Sequence, residues 1–115
     1  MSQECLFCRI VAGEIPSDIV YQDGDFLAFR DIEPQAPKHI ILIPKAHIAS
    51  LAALTEQQGG LIGSLIMLAQ RLAEKEGIAE SGYRLSINCG PEGGQVVPHL
   101  HLHLLGGRKL SGQLG

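Results

Sequence analysis

Near the end of the chain, Pro98-His99-Leu100-His101-Leu102-His103-Leu104-Leu105 alternates imidazole with leucine without a break. A strand is the conformation that gives this alternation a meaning, because successive strand side chains point to opposite faces. A strand from Val96 to Leu105 puts His99, His101 and His103 on one face, about 6–7 Å apart. Leu100, Leu102 and Leu104 then share the other face and turn toward a core. A lone histidine would be an ordinary surface or hydrogen-bonded residue. Three on one face, opposite an unbroken leucine face, need partners if buried. They point either to a metal site or to imidazoles doing nucleophilic or acid–base work.

The remaining patterns supply a sheet for that strand. Asp18-Ile19-Val20-Tyr21 and Phe26-Leu27-Ala28-Phe29 read as strands flanking Gln22-Asp23-Gly24-Asp25, a hairpin signal. His39-Ile40-Ile41-Leu42-Ile43 is a β-branched run ended by Pro44, which reads as a buried strand. Tyr83 to Asn88 is a further strand. Residues 5–12 form a short helix stopped at Gly13, and a long apolar stripe between Thr55 and Gly77 forms a second helix. Gly59, Gly60 and Gly63 weaken its first half or permit close approach of another backbone. Strands and helices do not alternate, so the expected class is α+β on a five-stranded antiparallel sheet.

The 115 residues suffice for one domain, placed at 1–107 with a loosely held tail at 108–115. A net charge of −3 gives no basic field, so no nucleic-acid partner is expected. No apolar run approaches the ~20 residues of a membrane span, and the first residues lack a secretory pattern. A cytoplasmic location follows, with the three cysteines reduced or bound to metal.

Cys5-x-x-Cys8 has the spacing of structural zinc sites. Two buried small residues are the plainer reading of that pair. A tetrahedral site needs two more ligands, for which His47 and His99 are candidates. That set would be closed and structural, and would leave His101 and His103 for chemistry, with His39 nearby if its strand is a neighbour. Cys89 has no partner by spacing and reads as a core residue.

Gly94-Gln95-Val96-Val97-Pro98-His99-Leu100-His101-Leu102-His103-Leu104-Leu105-Gly106-Gly107 resembles the signature of the histidine triad (HIT) family, in its small phosphoramidase (HINT) branch. Residues 5–16, Phe29-Arg30-Asp31-Ile32, Pro34 to His39 and Ile43 to Ile48 are similar to further blocks of that branch. The resemblance implies a homodimer whose two sheets join into ten strands, with the long helix at the interface. It implies hydrolysis of purine nucleoside 5′-phosphoramidates or acyl-adenylates through a nucleotidyl-histidine. His101 would be the nucleophile, His103 the phosphate contact and His39 its support. Asp31 would accept from the ribose hydroxyls. Phe7, Ile10, Ile15, Phe29 and Ile32 would form the base pocket. Asn88 and Gln95 would sit on the phosphate side, with Gly94, Val96 and Val97 completing the nucleotide site. Bacterial relatives with this Cys-x-x-Cys carry zinc on positions matching Cys5, Cys8, His47 and His99. Two other outcomes fit the family: a dinucleoside polyphosphate hydrolase, and a nucleotide sensor with vestigial catalysis.

The chain departs from the family at Val96, where a Ser or Thr is usual. Valine donates no proton, which favours acyl-adenylates, whose leaving carboxylate needs none, over alkyl phosphoramidates. The short tail also lacks the Trp-bearing terminus of eukaryotic relatives.

Overall fold

A computed structural model describes residues 5–113; residues 1–4 and the last two of the expected tail lie outside them. In chain order the elements are α1 (Leu6–Val11), β1 (Ile19–Gln22), β2 (Phe26–Arg30), β3 (Lys38–Pro44), α2 (Gly59–Lys75), β4 (Tyr83–Ser86) and β5 (Leu102–Gly106). Two 3-10 turns, Leu51–Ala53 and Glu56–Gln58, precede α2. The sheet has the order β1-β2-β3-β5-β4 with every pairing antiparallel. The α+β class, the five strands and the long and short helices are thus as expected.

The hairpin between β1 and β2 closes on Asp23, whose Oδ1 accepts from the backbone N–H groups of Asp25 and Phe26, both at 2.8 Å. Both helices end alike. After α1, Gly13 has φ +79°, its N–H donates to the Ile10 carbonyl, and Glu14 N–H donates to the Arg9 carbonyl. After α2, Gly77 has φ +78°, and the Gly77 and Ile78 N–H groups donate to the Glu74 and Ala73 carbonyls. This left-handed cap favours glycine because a Cβ is strained there.

The central strands are buried on both faces, which explains why β3 reads as a continuous apolar run rather than an alternating one. Phe26, Ala28, Ile40, Leu42, Leu102 and Leu104 pack under α2 against Leu65, Leu68, Ala69 and Leu72. Leu27, Phe29, Ile41 and Ile43 face the other way and pack with Phe7 and Ile10 of α1. His103 lies opposite Ile41 in register and so belongs to the α1 face. Of the expected faces, β5 carries Leu102 and Leu104 toward α2 and His103 toward α1, while His99 and His101 precede the strand.

The expected strand from Val96 is shorter than predicted and begins at Leu102. Continuing the register would set Leu100 against Pro44, and a proline has no N–H to extend a ladder. Pro98 removes a second donor. The segment bonds elsewhere instead: His99 N–H donates to the Val97 carbonyl (2.8 Å), and Leu100 N–H to the carbonyl of Ile48, beyond the end of β3 (2.6 Å).

Glu76, at the C-cap of α2, is an acid where the helix dipole disfavours one. Arg30, at the end of β2, meets it in a bidentate pair at 2.9 and 3.1 Å, and Lys38 of β3 lies 3.5 Å away. Hydrogen bonding to Arg30 holds the Glu76 carboxyl below its usual range. This cluster ties the helix end to the strand ends that carry Asp31 and His39. Cys89 belongs to neither core cluster and is only half-buried, a correction to its reading as a core residue. The segment after Gly107, expected to lie loosely, is tied by Arg108 to the Gln35 carbonyl (2.9 Å) and by Arg84 to the Ser111 carbonyl.

Candidate active site and metal centre

A cavity of about 440 Å³ opens on the α1 face of the sheet. Its apolar wall comes from Phe7 and Ile10 of α1, Ile15 beyond it, Phe29 and Ile41 on the strands, and Val97. Asp31 and Ile32 follow directly from β2, and His101 and His103 from the approach to β5 and the strand itself. Asn88, Gly94 and Val96 line it from the glycine-rich loop. Ile32 and Val96 are 92% and 89% exposed, so both stand at the rim.

Two residues proposed from sequence stand outside the lining. His39 sits behind His103 and touches it. Gln95 spends its side chain on backbone groups away from the cavity: Oε1 accepts from Gly90 N–H (2.9 Å), and Nε2 donates to the carbonyls of Ala49, beyond β3, and Val97 (2.8 and 3.0 Å). Asn88 Nδ2 likewise donates to the Gly93 carbonyl (2.7 Å). Leu6, Pro16, Ser17, Arg30, Glu33 and Ile41 also line the cavity. Sequence reasoning missed these; only Ile41 carried a signal, its period-two relation to Ile43, hidden in a four-residue apolar run.

The hydrogen bonds assign the histidine tautomers. His101 Nδ1 lies 2.6 Å from the His99 carbonyl. A carbonyl only accepts, so Nδ1 carries the proton and Nε2 keeps a free lone pair. Gln35 N–H donates to His39 Nδ1 at 3.0 Å. His39 Nδ1 is therefore the bare nitrogen, and Nε2–H donates to His103 Nδ1 at 2.9 Å. That leaves His103 with its proton on Nε2. One cavity histidine thus presents a bare Nε2 and the next a protonated one.

Burial enforces neutrality. It pushes His39 down against the opposing pull of Asp31, whose Oδ2 is 3.4 Å from His39 Nε2. His103 falls to about 4, through burial first and then the neighbouring His101 and His39. Asp31 Oδ1 accepts from Glu33 N–H (2.8 Å), which sets the carboxylate at the cavity edge.

The second convergence lies on the other side of Phe7. Ligand atoms of Cys5, Cys8, His47 and His99 all fall within 4.8 Å of one another. Cys5 Sγ is 3.2 Å and Cys8 Sγ 3.5 Å from His99 Nδ1, and Cys8 Sγ is 3.2 Å from His47 Nδ1. A tetrahedral ion with Zn–S of 2.3 Å and Zn–N of 2.0–2.1 Å sets S···N near 3.5 Å, so the spacing fits. His99 Nε2–H donates to the Pro44 carbonyl (2.8 Å), which leaves Nδ1 bare and aimed at the thiols. Burial, then hydrogen bonding to Cys5, pushes the Cys8 thiol up to about 11. Cys8 therefore ionises readily only beside a cation, and the N₂S₂ donor set suits zinc.

Asp31, His39 and His103 also gather within 4.8 Å. Their tautomers argue against a metal there: His39 Nε2 already carries its proton because Nδ1 accepts from Gln35. That cluster is a donor relay.

Residues 12–110 match the HIT domain, and the chain belongs to this family. It is 50% identical over 114 residues to the purine nucleoside phosphoramidase of Escherichia coli, covering 99% of this chain and 96% of that protein. It is 48% identical over 108 residues to a 14 kDa zinc-binding protein of Zea mays, covering 92% of this chain and 84% of that one. A crystal structure of a HIT family hydrolase from Legionella pneumophila superposes with a TM-score of 0.95 at 48% identity, covering 97% of this chain and all of that one. Among the described residues no helix is long and apolar enough to cross a membrane.

Proposed function

We propose that this chain is a hydrolase of purine nucleoside 5′-phosphoramidates and acyl-adenylates that works through a nucleotidyl-histidine, a reading supported by its likeness to a purine nucleoside phosphoramidase. The observation that carries this reading is the pairing of a bare His101 Nε2 with a protonated His103 Nε2 at one cavity. His101 Nε2 attacks the α-phosphorus, and the bond from phosphorus to the leaving group breaks, an amine taking its proton from solvent and a carboxylate leaving as the anion. His103 Nε2–H donates to a phosphoryl oxygen as charge builds there. Its neutral form supplies a donor without a full counter-charge. Water then cleaves the phosphorus–His101 bond and releases the nucleoside monophosphate. The base lies among Phe7, Ile10, Ile15, Phe29 and Ile32, and Asp31 accepts from the ribose hydroxyls with charge-assisted strength.

Zinc on Cys5, Cys8, His47 and His99 is structural, because protein ligands fill all four positions and leave none for substrate. Free thiols in such a site suit a reducing, cytoplasmic compartment. The active form is a homodimer with a ten-stranded sheet. In support, α2 exposes Ile66 and Met67 beside Gly60 and Gly63, and the outer edge of β4 is unpaired within the sheet. The domain boundary falls after Gly107, where the last strand has closed.

Incubation with adenosine phosphoramidate tests the reading. The protein should release the amine, and His101→Ala should abolish turnover while binding the nucleoside monophosphate within a few-fold of the parent. Retained turnover in the variant removes His101 from its role. Tight binding by the parent with no hydrolysis of any nucleoside phosphoramidate or acyl-adenylate identifies a sensor. Cleavage confined to dinucleoside polyphosphates identifies the other hydrolase branch.

A further inference from the structure

We infer that Arg108, in the segment after the last strand, is a positioning residue for the phosphate-side donor His103, acting through the backbone of Gln35. The inference rests on the proposed role of His103. Gln35 lies in the irregular 31–37 connection between β2 and β3, and its two backbone polar groups face opposite partners. Its N–H donates to His39 Nδ1 (3.0 Å), and its carbonyl accepts from Arg108 Nη2 (2.9 Å). The line of donors therefore runs from Arg108 to the Gln35 carbonyl, then from Gln35 N–H to His39, and from His39 Nε2–H to His103 Nδ1. It ends at the proton on His103 Nε2, at the cavity.

The geometry makes Arg108 a fixed clamp. Its Nη1 also donates to the Lys109 carbonyl (3.0 Å), so the planar guanidinium is held at two points. Gly107 turns at φ +95° and brings the segment against the connection: a Cβ there would lie 2.9 Å from Pro37 Cβ and 3.4 Å from the Lys38 nitrogen. Within the connection Glu33 N–H donates to Asp31 Oδ1 and Gln35 Nε2 to the Glu33 carbonyl, and at its start Asp31 N–H donates to the His39 carbonyl of β3 (3.0 Å). Arg108 holds the Gln35–Ala36 peptide from outside the connection. The donor to His39 belongs to the adjoining Pro34–Gln35 peptide, so once that hold is lost and Gln35 rotates about its φ and ψ, His39 Nδ1 loses its donor and the ring is free to exchange tautomers. A His39 with its proton on Nδ1 presents a bare Nε2 to His103. His103 then answers with Nδ1–H, and the nitrogen facing the phosphate loses its proton. No step of the reaction touches Arg108; it selects which nitrogen of His103 is the donor.

The experiment compares the full-length parent with Arg108→Met and Arg108→Lys. Ring-nitrogen NMR of ¹⁵N-histidine-labelled protein reads the tautomers without turnover. The parent should show His39 and His103 each protonated on Nε2. Arg108→Met should show exchange or inversion at both rings, lower kcat by roughly tenfold for a partly lost donor, and keep KM within about twofold. Arg108→Lys, which keeps one donor, should restore most of kcat and the ring signals. Unchanged ring signals in Arg108→Met overturn the inference whatever the activity. Changed ring signals with unchanged kcat overturn it as well. Because the ring signals are measured without substrate, an absence of hydrolysis in the parent sinks the proposed function and not this test.

Discussion

Acid should loosen this fold through His103, and by an amount the structure sets. The ring titrates at about 4 in the native protein and at about 6.5 in an unfolded chain. As the pH falls, the unfolded chain takes up the proton first. Stability is therefore lost progressively from about 6.5 down to about 4, and this group adds nothing further below that. Between pH 7.5 and 5 the unfolded ring goes from about one-tenth to nearly fully protonated, while the native ring reaches only about one-tenth. Integrating the difference in bound protons gives about 2 kcal/mol lost from this residue alone. Urea unfolding of the parent and of His103→Asn at both pH values isolates the effect. The asparagine oxygen can still accept from His39 Nε2–H, and the other titrating groups are common to both proteins. The parent should lose about 2 kcal/mol more than the variant over that interval. Parallel losses in the two proteins, or an NMR titration placing His103 near its ordinary value, would refute the account of its burial.

Three further outcomes are expected. Purified protein should carry about one zinc per chain by metal analysis; Cys8→Ser should release it and lower the melting temperature, since metal binding is linked to folding. Glu76→Ala should destabilise by about 1–2 kcal/mol in denaturant titrations, because it strips the half-exposed Arg30 of its bidentate partner. Gly93→Ala would drive a Cβ into the Cys89 carbonyl oxygen; calorimetry should show weaker binding of nucleoside monophosphate, since the loop carrying Gly94 and Val96 must move.

The elements legible in the sequence were those with strong local chemistry. The Asp-Gly hairpin, the glycine stops at 13 and 77 and the leucine face of β5 each depend on residues close in the chain, and each lies where expected. The metal tetrad was legible as residues because Cys-x-x-Cys is a local spacing, and its two histidines came from elsewhere in the chain as the resemblance implied. What could not be read was set by partners across the sheet. The two faces of β3 were hidden because Ile40 to Ile43 are all buried. The late start of β5 depends on Pro44 standing opposite Leu100, a register that no pattern within residues 96–105 contains.

That late start matters for the chemistry. Were the ladder to continue through residues 99–101, the His99 carbonyl would be drawn into strand pairing. The pairing instead stops at Leu42 and Leu102, and the His99 carbonyl accepts from His101 Nδ1–H at 2.6 Å. The same residue spends its own ring on Pro44 and the thiols, so its backbone orients the His101 ring while its side chain faces the Cys5–Cys8 cluster. Two residues on, His103 is back within the ladder, and its Nδ1 finds His39 instead of a carbonyl. The bare nitrogen faces the cavity on His101 and the protonated one on His103 because one ring bonds to an acceptor and the other to a donor. Identical side chains two residues apart thereby present opposite nitrogens, and the difference comes from where the regular strand begins.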